Sequence, residues 1–193
     1  SHSGCSHSYG ALYSRSTACG RQAIDEMARR ARDTGLAYFA AVNHATDPVR
    51  PHHADRATQE KILLHLNEVL RLNARAKRGQ AVVLAGVEAS VLPEGGLDVD
   101  DAILSHLDVV IAARHGGPRL LPQRLVAQLL AAMDNPHVDI VGCASRSQAE
   151  LPLAAWERLA AQAVATRTAV EVNVRVPMRG SLLRCLAVSG AYL

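Results

Sequence analysis

His44, Glu88, His115 and Cys143 each stand just after a short apolar run of the 193-residue chain. Two imidazoles, a carboxylate and a thiol are the ligand types that hold zinc, and the first three also suit manganese. An ion held by such a set polarises an ester and lowers the pKa of a bound water. Asn43 precedes His44, and Asn173 sits near the end of a late apolar run, so both belong to the margin of the same candidate site. Taken singly, a His or Glu in a loop is more often solvated or hydrogen-bonded than metal-bound; the joint placement after successive runs is what points to a site. Arg114, Arg119 and Arg146 stand near the same run ends. Guanidinium forks there would suit a phosphorylated metabolite, although a solvated surface role is the commoner one for such arginines. The stretch 44–56 (HATDPVRPHHADR) adds His52 and His53 and reads either as a phosphate-handling loop or as a solvated one.

Residues spread so far along the chain meet only if the runs that carry them lie side by side. Strands are predicted at 36–42, 82–85, 107–113, 138–142 and 168–174, with helical stretches between them. That alternation builds parallel strands joined by crossover helices, and side chains at the C-terminal strand ends then face one crevice. The stretch 57–78 places Ile62, Leu66, Val69 and Leu70 on one helical face, and 153–166 does so with Leu153, Trp156, Leu159, Ala160 and Ala163. Asp98 reads as the N-cap of a helix at about 99–106. Residues 1–19 are Ser-rich and aperiodic, which reads as a loop or flexible arm ahead of a domain at 20–193. The chain stops after a helical run at 180–188, where a further strand is expected, so a βα barrel would be incomplete.

Composition narrows the class. Hydrophobic residues make up 49% but aromatics only 3%, so the core is built from Ala, Leu and Val layers, as in many α/β proteins. The net charge of +3 is too small to argue nucleic-acid binding, and Arg29, Arg30 and Arg32 form the densest basic group. Cys5, Cys19, Cys143 and Cys185 have no CxxC spacing, so free thiols are expected. No apolar run approaches the ~20 residues of a membrane helix and no signal peptide is recognisable, so the expected setting is the cytoplasm, away from membranes.

Ordered motifs sharpen the picture. Ile24-Asp25-Glu26-Met27-Ala28 with Gly35-Leu36-Ala37-Tyr38, then Asn43-His44, then Gly86-Val87-Glu88 with Leu92-Pro93-Glu94-Gly95-Gly96-Leu97-Asp98 occur in turn. Leu107-Asp108-Val109-Val110-Ile111 leads to His115; Asn135-Pro136-His137-Val138-Asp139-Ile140 and Val170-Glu171-Val172-Asn173 follow. From about Ile24 onward this series resembles the PHP superfamily, the polymerase and histidinol phosphatase type, in the form found at the C-terminus of bacterial family X DNA polymerases. The resemblance implies an α/β fold, a distorted and here incomplete (β/α)7 TIM-like barrel of the PHP type. It also implies several metal ions held by His, Asp and Glu, with His44, Glu88 and His115 at ligand positions.

Departures from the family pattern are substantial. Where it carries His-x-His, the ungapped chain has Tyr13 and Arg15, and Ser-Asp-Gly is replaced by Ala18-Cys19-Gly20; a gapped alignment sets His7-Ser8-Tyr9 there instead. Asn43 replaces the Asp of Thr-Asp-His, Cys143-Ala144 replaces His-Pro, and the late Asp-x-His is absent. Arg15 at a ligand position brings a fixed cation and no lone pair. The expectation is one divalent metal, zinc or manganese, on His44, Glu88, His115 and Cys143, or none. Two functional readings stand open. One is a degenerate PHP module, a scaffold within a polymerase-like or DNA-repair-related protein. The other is an active phosphoesterase acting on a phosphate ester or nucleic-acid end, its missing ligands drawn from His2 and His7, from His52 and His53, or from beyond residue 193.

Overall fold

The computed structural model describes residues 11–12, 23–46, 54–77, 79–114, 120–142, 151–172 and 179–192. In chain order the elements are β1 (Ala11–Leu12), α1 (Ile24–Asp33), β2 (Tyr38–His44), α2 (Arg56–Ala74), β3 (Val82–Ser90), α3 (Asp101–Leu104), β4 (Val109–Ala113), α4 (Pro122–Met133), β5 (Ile140–Gly142), α5 (Leu153–Thr166), β6 (Ala169–Val170) and α6 (Gly180–Ser189). Parallel strands alternating with helices make this an α/β fold. The chain divides into two compact units, the first taking in residues up to Ala45, Ala54–Glu88 and Val99–Val109, the second Thr46–His53, Ala89–Asp98 and Val110–Leu193.

In the first unit β2 pairs in parallel with both β1 and β3. Ala11–Leu12, within the segment read from composition as an arm, pair with Ala40 and Ala41; two residues are too few to show a period. Side chains alternate across β2 and β3. Phe39, Ala41, Val83 and Ala85 pack on Ile24, Met27 and Ala31 of α1 and on Val69 of α2. The other face runs from exposed to buried along the strands: Tyr38 and Val82 are 66% and 51% exposed, whereas His44 and Glu88 at the far end are 6% and 1% exposed. Gly86 lies on that second face, where an added Cβ would stand 2.8 Å from Val42 Cγ2 and 3.0 Å from the Val109 carbonyl. The glycine of Gly-x-Glu thus admits a neighbouring backbone beside Glu88.

In the second unit β4, β5 and β6 run parallel in sequence order. Leu125, Leu129, Ala132 and Met133 of α4 are buried, as are Leu182 and Leu186 of α6, and α5 packs against both helices. Asp139 braces the start of this sheet, its carboxylate accepting from Val110 N at 2.8 Å.

Several elements differ from their sequence-based bounds. The first strand begins two residues late and reaches His44, and β3 runs to Ser90 rather than residue 85. Buried Ala, Gly and Glu at 85–90 lack the alternation that marks a strand, yet all lie in a doubly covered segment. The late strand at 168–174 shrinks to Ala169–Val170 among the described residues. On α2, Leu70 is 55% exposed, and the buried stripe is Ile62, His65 and Val69, with Leu66 half-buried beside it. An i, i+3, i+7 stripe leaves position 70 about 100° off the core direction. Leu153 is likewise exposed, and the core face of α5 begins at Trp156. The helix expected at 99–106 contracts to Asp101–Leu104 with Asp100, not Asp98, at its N-cap. Among the described residues no helix is long and apolar enough to cross a membrane.

Candidate functional site

His44 and Glu88 are partners in the parallel register at the ends of β2 and β3, so strand pairing alone sets their side chains next to each other on one face. The ladder continues one step past them, with Ala45 N donating to the Glu88 carbonyl at 3.0 Å. His44 Nδ1 stands 3.8 Å from Glu88 Oε2, both side chains being almost fully buried. That separation is too long for a direct N–H···O bond. It does suit two donors on a shared ion, since atoms each about 2.1 Å from one zinc lie at most about 4.2 Å apart. The pair therefore fits as two ligands of a divalent cation.

Asn43 points elsewhere. Strand alternation turns it to the face opposite His44, toward α2, where its Nδ2 lies 3.2 Å from His65 Nδ1. His65 Nε2 lies 2.9 Å from the Ala41 carbonyl. A carbonyl only accepts, so the proton sits on Nε2, and Nδ1 accepts from the Asn43 amide. Burial pushes the His65 pKa below its usual value, against the smaller upward pulls of the Ala41 bond and of Glu68. The ring is a neutral clasp that fixes the end of β2 to α2. Asn43, expected beside the metal ligands, braces the strand that presents His44.

The second unit holds its own buried polar groups. Asp98 is fully buried; its Oδ1 accepts from Ser90 N at 2.8 Å and its Oδ2 from Thr46 Oγ1 at 2.5 Å. Burial raises the Asp98 pKa, and the Thr46 and Ser90 bonds counter that rise. Asp98 ties the loop after β3 back to the strand it leaves. Glu171, directly after β6, is also buried, and its Oε2 comes within 3.2 Å of where a Cβ on Gly142 would stand. Arg114, just past β4, is partly buried, which lowers its pKa.

Of the residues singled out from sequence, His115, Cys143, Asn173, Arg15, His7, Arg146, Arg119, His2, His52 and His53 lie outside the described residues. Among the described residues no group of three or more His, Cys, Asp and Glu side chains is placed to hold a metal ion. What the structure brings together is the His44–Glu88 pair. His65, Asp98 and Glu171 were not picked out as buried polar anchors. An imidazole three residues after Ile62 and four before Val69, and a carboxylate between two valines at 170–172, are the signals that mark two of them.

No protein-family model matches the chain. It is 31% identical over 160 residues to the DNA polymerase/3'-5' exonuclease PolX of Bacillus subtilis, covering 80% of this chain and 27% of that protein. A probable phosphatase of Syntrophotalea carbinolica is 30% identical over 154 residues, 78% of this chain and 58% of the relative. A probable phosphatase of Thermoanaerobacter sp. is 32% identical over 124 residues, 62% of this chain and 46% of its own length. The chain thus spans about a quarter of the PolX protein and about half of the phosphatases. Similarity to a PolX protein and to probable phosphatases, joined to the ordered motifs from Asn43-His44 to Val170-Glu171-Val172-Asn173, bears out the resemblance of this chain to the PHP superfamily in the form found in bacterial family X DNA polymerases.

Proposed function

We propose that the chain is a PHP-type, phosphoesterase-like domain that keeps part of a metal site, has little or no catalysis of its own, and serves as a cytoplasmic module of a polymerase- or DNA-repair-related protein. The observation that carries this reading is the His44–Glu88 pair, buried and 3.8 Å apart at neighbouring strand ends. In this reading residues 20–193, with β1 ahead of them, belong to a distorted TIM-like barrel. His115 and Cys143, two residues and one residue past the ends of β4 and β5 in sequence, complete a site for one zinc or manganese ion. Bound there, the ion would act as a Lewis acid toward a phosphate ester. Glu88 supplies the negative charge that offsets the cation, and His44, with its strand braced by Asn43 and His65, supplies a fixed neutral donor. Against full activity stand Tyr13 and Arg15 at the positions of His-x-His in the ungapped alignment, and Asn43 and Cys143 in place of an Asp and a His.

The names of the relatives, an exonuclease and probable phosphatases, favour a second reading in which the chain hydrolyses phosphate esters or nucleic-acid ends. Metal analysis of protein purified without chelator, with p-nitrophenyl phosphate turnover in manganese, separates the two. One ion or fewer per chain without turnover supports the module. Two or more ions with turnover support the enzyme.

A further inference from the structure

The first unit has a second feature at the opposite end of its strands. A cleft of about 280 Å³ lies between α1 and the end of α2, lined by Arg29, Arg32, Arg75, Asp25, Asn73 and Gln80 among others. Arg29 and Arg32 come from α1, while Arg75 caps the C-terminus of α2 more than forty residues later in the chain. We propose that this cleft binds a phosphate group, supplied either as a free phosphate or by the backbone of a nucleic-acid strand. Three arginines line it from two elements. A guanidinium presents paired N–H donors in a planar fork, which matches the oxygens of a phosphate.

The charge balance supports an anion. Asp25 pairs with Arg29 at 3.3 Å, and Asp33, from outside the cleft, pairs with Arg32 at 2.9 Å. All four side chains are substantially exposed, so these are weak surface pairs that a stronger anion displaces. Counting both carboxylates against three guanidinium groups leaves one excess cation, and no ion pair of Arg75 occurs among the described residues. From Val69 to Val87 the sequence has Arg71, Arg75, Lys77 and Arg78 and no Asp or Glu. Basic residues in the last turn of a helix offset its dipole, which accounts for Arg30, Arg32 and Arg71 one by one. It does not account for three arginines from two helices around one cavity.

The cleft wall is held rigidly. Asn73 Nδ2 donates to the Val83 carbonyl at 2.7 Å while its Oδ1 accepts from Val83 N at 3.0 Å, clamping the end of α2 to the start of β3. Gln80 Oε1 accepts from Lys77 N at 2.6 Å and fixes the turn between them. From Val82 to Glu88 the strand rises about 20 Å, so this cleft is separate from the His44–Glu88 pair.

The test uses the full chain with a fluorescent 20-nucleotide thymidine oligomer and with inorganic phosphate as competitor, at low and near-physiological salt. Binding of the oligomer should fall about tenfold or more in the Arg29→Gln/Arg75→Gln double variant. The slope of log affinity against log salt should shrink by about 0.7 for each phosphate that the variant no longer neutralises. Arg75→Lys, which keeps the charge but not the fork, should fall between, and Arg158→Gln, which removes an exposed arginine of α5 outside the cleft, should bind as the unmodified chain does. Should the double variant prove unstable on thermal unfolding, Arg75→Gln alone carries the test, since that side chain is solvent-exposed. Competition by millimolar phosphate with no advantage for the oligomer assigns the cleft to a free phosphate; tighter oligomer binding assigns it to a strand. Equal binding by unmodified and Arg-substituted chains, or binding of neither probe by the unmodified chain, overturns the proposal.

Discussion

His44 and Glu88 meet because β2 and β3 are parallel and in register, but their surroundings depend on residues that do no chemistry. Gly86 is one. With its Cβ position already 2.8 Å from Val42 Cγ2 and 3.0 Å from a carbonyl, Gly86→Ala should destabilise the protein by about 1–3 kcal/mol, read by urea denaturation. His65 is another, and its effect is pH-dependent. Burial holds its folded pKa below the usual 6.5, so below that pH the unfolded chain binds the proton first. The stability that depends on neutral His65 is therefore complete above pH 6.5 and is lost as pH falls from there through the depressed folded value. The denaturation midpoint should drop between pH 7.5 and 5.5, and His65→Gln should flatten that drop; an unchanged slope in the variant would show the ring is not the titrating group. The same geometry assigns Asn43→Asp its effect. A carboxylate cannot donate to Nδ1, so the bond is lost unless the ring or the new carboxyl takes up a proton, and the change acts on the α2 clasp rather than on the face of β2 that carries His44.

Helices test how far element faces are legible. Periodicity places Ile62, Leu66 and Val69 on the buried side of α2, and Trp156, Leu159, Ala160 and Ala163 on that of α5, as the structure has them. It fails at Leu70 and Leu153 because a hydrophobic residue at the border of a stripe looks the same in sequence as one inside it, and only the neighbouring layer decides. Denaturation of three variants should reflect this order. Trp156→Ala should cost about 3–5 kcal/mol. Leu66→Ala, half-buried, should cost less, and Leu70→Ala should stay within about 0.5 kcal/mol of the unmodified chain. Equal losses would contradict the helix phases. Asp98 shows a different limit. An Asp before a short helical run reads as an N-cap, but its carboxylate closes the loop back onto Ser90 and Thr46, partners 8 and 52 residues away that no local pattern encodes. The parallel strands were legible because apolar runs punctuate the chain. Their C-terminal extents were not, since Ala85–Ser90 carries small and polar residues in a covered position.

At the scale of the molecule, function turns on how many ligands a single site can assemble. A cage for several cations needs many carboxylates and imidazoles, and each one lost leaves metal charge uncompensated at the neighbouring position. The family resemblance sets His44, Glu88 and His115 at ligand positions and Cys143 in place of an imidazole, and where two further imidazoles are expected it sets Tyr13 and Arg15 without a gap or His7 and Tyr9 with one. The purified chain is accordingly expected to bind at most one ion, zinc more tightly than manganese if the Cys143 thiolate takes part. Cys143→His should shift that preference toward manganese and raise its occupancy, measured by metal analysis, more than it raises turnover of p-nitrophenyl phosphate. The residual deficit would lie with the altered His-x-His, which one substitution does not restore. If instead the unmodified chain turns over phosphate esters at about 1 per second or faster, as working enzymes do, and Glu88→Gln abolishes that rate, the chain is an active phosphoesterase. Its remaining ligands then come from the His-bearing stretches at 1–10 and 44–56 or from sequence beyond residue 193.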